Sequence, residues 1–153
     1  MQSCATCGPS GNSHGGFTHD GPPPLDLTAI RKEIDAFEAA GKQLNESINA
    51  KLAAGKVDSQ LASYINQGMM QVERNWLNPD GIPGRPWFKH ILYGARFTYA
   101  HLELPGLTEA VEKKDWTTAK QQAEILQRAL ANNTLLLDRL RLSLKEKTAD
   151  SVK

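Results

Sequence analysis

The sequence has no apolar stretch that could cross a membrane, since none approaches the roughly 20 residues that a transmembrane helix requires. It also lacks the basic and then apolar start of a signal peptide. We therefore expect any membrane attachment to lie outside these 153 residues. A charge imbalance is missing too, because 18 basic and 17 acidic residues leave a net charge of +1. That balance gives no electrostatic reason to expect binding to nucleic acid or direct contact with a membrane.

Cysteine and histidine are scarce, with two and four residues respectively. Both cysteines and two of the histidines fall in residues 1–24, which are rich in Gly, Pro and Ser: Cys4, Cys7, His14 and His19. Two Cys and two His can bind zinc tetrahedrally. However, only six residues separate Cys7 from His14, and no predicted helix or strand presents the ligands. We interpret residues 1–24 as a flexible leader and expect no metal or other cofactor in this chain.

The remaining sequence shows no hydrolytic centre. A two-zinc peptidase site needs several His, Asp and Glu ligands on rigid elements, and only His90 and His101 lie outside the leader. We assign His90 a structural role, hydrogen bonding within its loop, and His101-x-Glu103 forms no recognised hydrolytic motif. No Ser-His-Asp or Cys-His arrangement is apparent. We predict that this chain alone is not an enzyme.

Two helices are predicted before residue 78. Asp26 can cap the first, residues 27–53. Its apolar residues recur at steps of three and four, which places them on one helical face: Leu27, Ile30, Ile34, Phe37, Gly41, Leu44 and Ile48. Asp58 can cap the second helix. Its apolar positions are Leu61, Ile65, Met69, Val72 and Trp76. The turn residues 78–81 (Asn-Pro-Asp-Gly) end it, so an antiparallel hairpin is predicted.

The longest helix is predicted over residues 116–146, with Asp115 as its N-cap and a short helix from about Thr108 before it. Its seam keeps the three-four alternation throughout: Trp116, Ala119, Ala123, Leu126, Leu130, Asn133, Leu137, Leu140 and Leu144. Such a seam is typical of coiled coils and helical bundles. Three further leucines widen it and predict burial on more than one face: Leu135, Leu136 and Leu142.

One residue of this seam is polar. Asn133 can fix the register between helices, as a single buried Asn does in coiled coils. Alternatively, Asn133 lies at the edge of a wide apolar stripe and reaches water. The sequence leaves both interpretations open.

The connection between the second helix and the short helix is unusually long. It runs over residues 78–106, whereas helices in compact domains are usually joined by about 2–8 residues. Five of the ten aromatic residues of the chain lie in it: Trp87, Phe88, Tyr93, Phe97 and Tyr99. Disordered linkers are poor in aromatic residues. We therefore expect this loop to pack against its own helices or against a partner.

These elements predict an all-α protein. Residues 25–150 are expected to form a bundle of about four helices, two long and antiparallel, one short and one very long. The long aromatic loop joins the second helix to the third. No segment of useful length alternates with period two, so no sheet is expected.

The run from Met69 to Leu137 resembles a known family. Three pieces carry the resemblance: MMQVERNWLNPDGIPGRPWFKHILYG, LPGLTEAVE and DWTTAKQQAEILQRAL. The most specific feature is Gly-x-Pro-x-Arg-Pro-aromatic-aromatic-x-His, from Gly81 to His90. The chain is similar to the transferrin-receptor-like dimerisation domain, the C-terminal helical domain of the glutamate carboxypeptidase II and transferrin receptor family.

The resemblance implies a non-catalytic dimerisation domain of a membrane-anchored zinc peptidase homologue. The expected partners are a second copy of the chain, giving a homodimer, and the peptidase-like domain of the same parent chain. Zinc is expected only in that separate domain, and the parent is either a zinc-dependent carboxypeptidase or a receptor-like member without its metal. The loop residues expected at an interface are Arg85, Pro86, Trp87, Phe88, His90, Tyr93 and Phe97.

The resemblance also implies a lumenal or extracellular location. Two segments fit the glycosylation acceptor pattern, at Asn45 and at Asn132. Both lie within predicted helices and the pattern is common by chance, so they add little to this expectation.

In the peptidase members of the family, a Lys-Tyr pair in this loop helps hold the C-terminal carboxylate of the substrate. Alignment from the Pro-Gly end of the loop places Thr98 and Tyr99 there, so the tyrosine matches and the lysine is replaced. Arg96 is a candidate to supply the charge from nearby. Loss of the lysine removes a charge-assisted contact, so a glutamate-type specificity is not expected. We interpret the loop as a docking surface more than a substrate clamp.

Two alternative functions remain at this point. The loop could complete the substrate cleft of the parent peptidase in cis, with Tyr99 and Arg96 lining it. The chain could also be a stand-alone helical adaptor whose aromatic loop binds an unrelated partner.

Overall fold

The computed structural model describes residues 25–95 and 101–146, and this part of the chain is mostly helical. The helices are α1 Thr28–Ala53, α2 Ser59–Arg74, α3 Pro105–Glu112 and α4 Trp116–Glu146. Two short strands, β1 Tyr93–Ala95 and β2 His101–Glu103, pair within the long loop. The predicted all-α bundle of four helices is confirmed. The predicted leader, with its cysteines and two histidines, lies outside the described residues.

Helices α2 and α4 begin after the aspartates that the sequence indicated, whereas the N-cap of α1 is Leu27 and not the predicted Asp26. Asp58 Oδ1 accepts a hydrogen bond from the Leu61 amide at 2.7 Å, and Asp115 accepts one from the Thr118 amide at 3.1 Å. These bonds satisfy amides of the first turn that have no partner within the helix. The Thr118 hydroxyl also donates to Asp115, and these hydrogen bonds hold the pKa of Asp115 below its ordinary value. At α1, Asp26 Oδ1 accepts from the Thr28 amide at 2.8 Å.

Helix α4 is the central element, since α1, α2 and α3 all pack against it. Helix α1 runs parallel to α4, because Ile30 near its start shares a cluster with Leu126, whereas Leu44 further along shares one with Leu144. Helix α2 runs antiparallel to α4, with its last turn beside Asn133 and Gly68 beside Leu140. The first two helices are thus antiparallel, as predicted, but each packs more closely on α4 than on the other.

The core consists of two apolar clusters along α4. One lies toward the start of α1 and includes the loop residue Ile91: Ile30, Trp76, Ile91, Ala123, Leu126, Ala129 and Leu130. The other lies further along α1: Ala40, Leu44, Leu61, Ile65, Leu137, Leu140 and Leu144. Phe37 packs against both clusters and meets Trp76 edge to face, with ring centroids 5.8 Å apart. The two clusters therefore form a continuous core.

Asn133 lies between these clusters and is fully buried, with 0% of its surface exposed. Its Oδ1 accepts a hydrogen bond from Asn75 Nδ2 at 2.8 Å, and its Nδ2 donates to the Val72 carbonyl at 3.2 Å. Both partners belong to the end of α2. Of the two interpretations left open by the sequence, the structure favours the one in which Asn133 fixes helix register.

Several expectations about burial and boundaries are wrong. Ile34, Leu135 and Leu142 are 46%, 56% and 48% exposed, although they belong to predicted apolar stripes. The wide stripe of α4 is covered by its own chain on one side only, so the leucines on the opposite side reach solvent. Trp116 at the start of the seam is also 37% exposed.

The short helix and the hairpin also differ from prediction. Helix α3 begins at Pro105 rather than near Thr108, because proline at the first helical position loses no intrahelical hydrogen bond. The two-stranded sheet was not expected. Each strand has three residues, too few to show a period of two. Among the described residues, no helix is long and apolar enough to span a bilayer.

Replacing Asn133 with Leu should destabilise the fold. The substitution removes two hydrogen bonds and leaves the Val72 carbonyl and the Asn75 amide without a buried partner, at a cost of about 1–3 kcal/mol. Urea denaturation followed by circular dichroism measures this loss. The neighbouring exposed residue offers a matched control: Asn132→Leu should change the free energy of unfolding by less than about 0.5 kcal/mol. Equal stability of the wild-type and Asn133→Leu chains would contradict the assigned role.

Two helical glycines should respond to alanine in opposite directions. A Cβ at Gly68 would come within 3.0 Å of the Leu140 Cγ, a contact that forces buried atoms to shift, whereas a Cβ at Gly41 would lie 3.9 Å from its nearest neighbour, Leu137 Cδ1. Gly41→Ala should therefore raise the free energy of unfolding by about 0.5–1 kcal/mol through helix propensity. Gly68→Ala should lower it by about 1 kcal/mol or more, because overpacking outweighs that gain. Thermal unfolding of both variants tests the sign of each change.

Candidate functional site

The loop between α2 and α3 spans residues 75–104 and is described except for residues 96–100. Its first part folds back on itself. The Asn78 amide donates to the Lys89 carbonyl at 2.8 Å, and the Ile82 amide donates to the Phe88 carbonyl at 3.1 Å. Gly81 has φ +72°, and a Cβ there would collide with the Pro86 backbone, so glycine is required at this turn. This segment therefore has a defined conformation that its own backbone hydrogen bonds hold.

Backbone contacts tie the loop to the helical core. The Ile91 amide donates to the Trp76 carbonyl at 3.0 Å, and Ile91 and Ile82 are both buried. Strands β1 and β2 then pair antiparallel, with Gly94 opposite Leu102. The Leu104 amide donates to the Leu92 carbonyl at 2.7 Å, just before α3 begins. Both ends of the loop are therefore fixed.

Arg85 joins three parts of the site. Its Nη2 forms an ion pair with Glu109 of α3, and its Nη1 donates to the Ala95 carbonyl of β1 at 3.1 Å. The guanidinium carbon also lies 5.8 Å from the centre of the Phe88 ring, within the range of a cation–π contact. The side chains of Arg85 and Glu109 are each only 19% exposed. Such shielding strengthens the pairing and makes the loss of either partner costly.

A second polar cluster anchors the loop to α2. His90 Nδ1 accepts hydrogen bonds from the amides of Leu92 and Tyr93 at 3.3 and 3.4 Å, which leaves Nε2 to carry the proton toward Glu73 Oε1 at 3.3 Å. The Tyr93 hydroxyl donates to the same oxygen at 3.3 Å. The two rings pack against each other, with centroids 3.9 Å apart. Here His90 serves to hold the loop in place.

The loop also presents an exposed aromatic surface. Trp87 is 73% exposed, which is the largest value for a bulky apolar side chain among the described residues. It borders an open depression of about 420 Å³ whose lining includes Pro83, Gly84, Arg85 and Glu109. The depression thus combines an exposed aromatic wall with the shielded Arg85–Glu109 ion pair and with the charged residues Glu112 and Lys113.

The residues assigned to the site by sequence thus separate into three groups. Arg85, Phe88 and His90 serve the packing of the loop, and Pro86 and Trp87 are exposed. Tyr93 is also exposed but contacts His90 and Glu73 in the anchoring cluster. Three others lie outside the described residues, and their roles stay predictions: Arg96, Phe97 and Tyr99. The alternative in which the loop completes the substrate cleft of the parent depends on Arg96 and Tyr99, so it stays a prediction.

Two acidic residues of the site were not identified from the sequence. They are Glu109, which pairs with Arg85, and Glu73, which contacts His90 and Tyr93. No local signal marks Glu109 as the partner of Arg85, because the loop itself contains Asp80 and Glu103. Within residues 25–95 and 101–146, no three His, Cys, Asp or Glu side chains group as a metal site.

Comparison with known proteins gives one family. The model of the transferrin receptor-like dimerisation domain matches residues 25–138. A probable glutamate carboxypeptidase of Arabidopsis thaliana is 27% identical over 122 residues, which cover 74% of this chain and 17% of that protein. An inactive zinc metalloprotease of Schizosaccharomyces pombe is 29% identical over 116 residues, covering 69% of this chain and 14% of that protein.

A third relative, a probable glutamate carboxypeptidase of Arthroderma benhamiae, is 27% identical over 104 residues. The match covers 67% of this chain and 14% of that protein. The chain therefore spans between 14% and 17% of the length of these three relatives.

Replacing Arg85 with Met should loosen the loop without unfolding the bundle. The variant keeps the aliphatic stem but loses the contacts to Glu109 and the Ala95 carbonyl. We expect amide hydrogen exchange to accelerate at least tenfold at Ile82 and Phe88, because each lost shielded contact is worth about 1 kcal/mol or more. Exchange in α4 should be unchanged. The exposed Arg139 provides a control, and Arg139→Met should leave exchange in the loop as it is.

Proposed function

The chain belongs to the transferrin receptor-like dimerisation domain family, and on that basis we propose that it is a self-association module of a larger protein. The family match covers residues 25–138, which include α1, α2, α3 and α4 as far as Asp138, with the buried Asn133 and its partners at the end of α2. Self-association of this domain would hold two copies of the parent protein together.

Exposed apolar side chains support this proposal. Among the described residues, large apolar side chains on every long helix are between 37% and 58% exposed, including Ile34, Met70, Leu135 and Leu142. Burying the exposed half of one such side chain is worth about 1 kcal/mol. A few of them covered at once would offset much of the entropy lost when two chains associate.

We propose further that catalysis and zinc belong to a separate peptidase-like domain of the parent. Two of the three relatives described above carry the name glutamate carboxypeptidase, and the third is named as an inactive zinc metalloprotease. The role of the present domain is thus independent of whether the parent is active. The aromatic surface around Trp87 is the part of the chain that we assign to contact with that domain. A membrane-anchored parent is the corresponding expectation for localisation.

The proposed self-association predicts the mass of the chain in solution. The 153-residue protein should have twice the monomer mass of 16.8 kDa in light scattering at high concentration and should dissociate on dilution. Such dependence on concentration separates a specific dimer from aggregation. Circular dichroism must show the helical fold throughout the series. A folded chain that stays monomeric up to about millimolar concentration, where even a weak specific dimer forms, would contradict the proposal.

A further inference from the structure

Helix α4 carries a second seam on the side opposite the core. Its positions follow one another at steps of four, three, four, three and four: Glu124, Arg128, Ala131, Leu135, Asp138 and Leu142. This spacing places them on one face of the helix. None of the six belongs to the two buried clusters. Leu135 and Leu142 are the exposed leucines that contradicted the prediction of burial on more than one face.

The apolar and charged residues of this outer seam are arranged around a centre. Its centre is apolar, at Ala131 and Leu135. Arg128 and Asp138 flank that centre on either side, one basic and one acidic. Beyond them lie Glu124 toward the start of α4 and the half-exposed Leu142 toward its end. Part of the face is concave, because Glu124, Gln127, Arg128 and Ala131 line an open depression of about 390 Å³.

The four central positions of this seam, Arg128, Ala131, Leu135 and Asp138, are complementary to the same four positions in reverse order. Consider two α4 helices that cross antiparallel at their outer seams, with the two-fold axis at the level of residue 133 along each helix. Ala131 of one copy then meets Leu135 of the other. The same register places Arg128 of each copy opposite Asp138 of the other. The dimer contains this pair twice, because a two-fold axis repeats every contact. A parallel arrangement would instead set Arg128 against its own copy and Asp138 against its own copy, and like charges repel.

We propose that a second copy of this chain docks on the outer seam of α4, with the two α4 helices antiparallel and Arg128 paired with Asp138 across the interface. This inference rests on the proposed self-association and assigns its surface and geometry. Asp138 Oδ1 already accepts hydrogen bonds from Arg141 on its own helix, at 3.2 and 3.3 Å. That contact restricts the side-chain conformations of Asp138.

Charge reversal tests the pairing. The Arg128→Asp chain should have a dimer dissociation constant about tenfold or more above the wild type, because two ion pairs become two repulsions. Asp138→Arg should weaken the dimer similarly. The double variant Arg128→Asp/Asp138→Arg restores opposite charges across the interface, and its constant should return to within about threefold of the wild type. Sedimentation equilibrium measures each constant, and circular dichroism confirms that each variant folds.

A matched control separates this pairing from a general effect of charge. Arg31 is exposed on α1, and Arg31→Asp makes the same charge change away from the seam. It should leave the dissociation constant unchanged. An equal effect of Arg31→Asp and Arg128→Asp would overturn the inference, as would a double variant that is not rescued. If the wild type dimerises and Arg128→Asp dimerises equally well, only this inference fails. A monomeric wild type overturns the proposed function as well.

Disulfide trapping gives a second test that does not depend on charge. Chains with Ala131→Cys and chains with Leu135→Cys, both lacking Cys4 and Cys7 through serine substitution, should cross-link when mixed. Each alone should cross-link poorly, because like positions are displaced by about 6 Å along the helix axis in this register. Efficient cross-linking of either variant with itself, and not with the other, would overturn the antiparallel register.

Discussion

The hydrogen bonds of Asn133 constrain the structure more than any other single contact. A fully buried amide must have its donors and acceptor satisfied, and here the partners are the Val72 carbonyl and the Asn75 amide group. A displacement of α2 by one turn along α4 would break both bonds and bury an unpaired polar group. Apart from Trp76, the buried core on either side consists of leucines, isoleucines and alanines, whose side chains have no polar group that a displacement would leave unpaired. Register is therefore specified by the one polar residue of the seam.

The position of the loop follows from that register. Trp76 comes one residue after Asn75, and its carbonyl accepts the Ile91 amide while its ring packs on Phe37. The loop thus begins and returns at a point that Asn133 has fixed. Within the loop, the Arg85 ion pair with Glu109 makes a connection to α3, which directly follows the loop and itself packs on α4. The thirty-residue loop is therefore connected to α4 in two ways, directly through Asn75 and indirectly through α3. Its exposed Trp87 is consequently carried on a rigid support.

The sequence predicted the features that depend on local spacing. The caps at Asp58 and Asp115 and the inner seam of α4 could be identified, because each involves residues within a few positions of one another. The partners of Arg85 and Asn133 could not, since they lie 24 and 58 residues away. The outer leucines were misassigned for a related reason. Helical spacing shows that Leu135 and Leu142 lie away from the inner seam, but not whether another element of the same chain covers them.

The inner and outer seams of α4 differ in where their polar groups find hydrogen-bond partners. This difference is the physical basis for the separate roles that we assign to them. The inner seam contains a polar group that requires partners inside the chain, so it closes when the chain folds. The outer seam alternates two leucines with charged residues, and the charged groups stay hydrated when the face is open. A single copy can therefore fold and remain soluble before it meets another. In the proposed dimer the same charges limit the orientation of the second copy, because the antiparallel approach sets Arg128 against Asp138, whereas the parallel one sets like charges together. One face of α4 thus supports the fold, and our proposal assigns the other face to association.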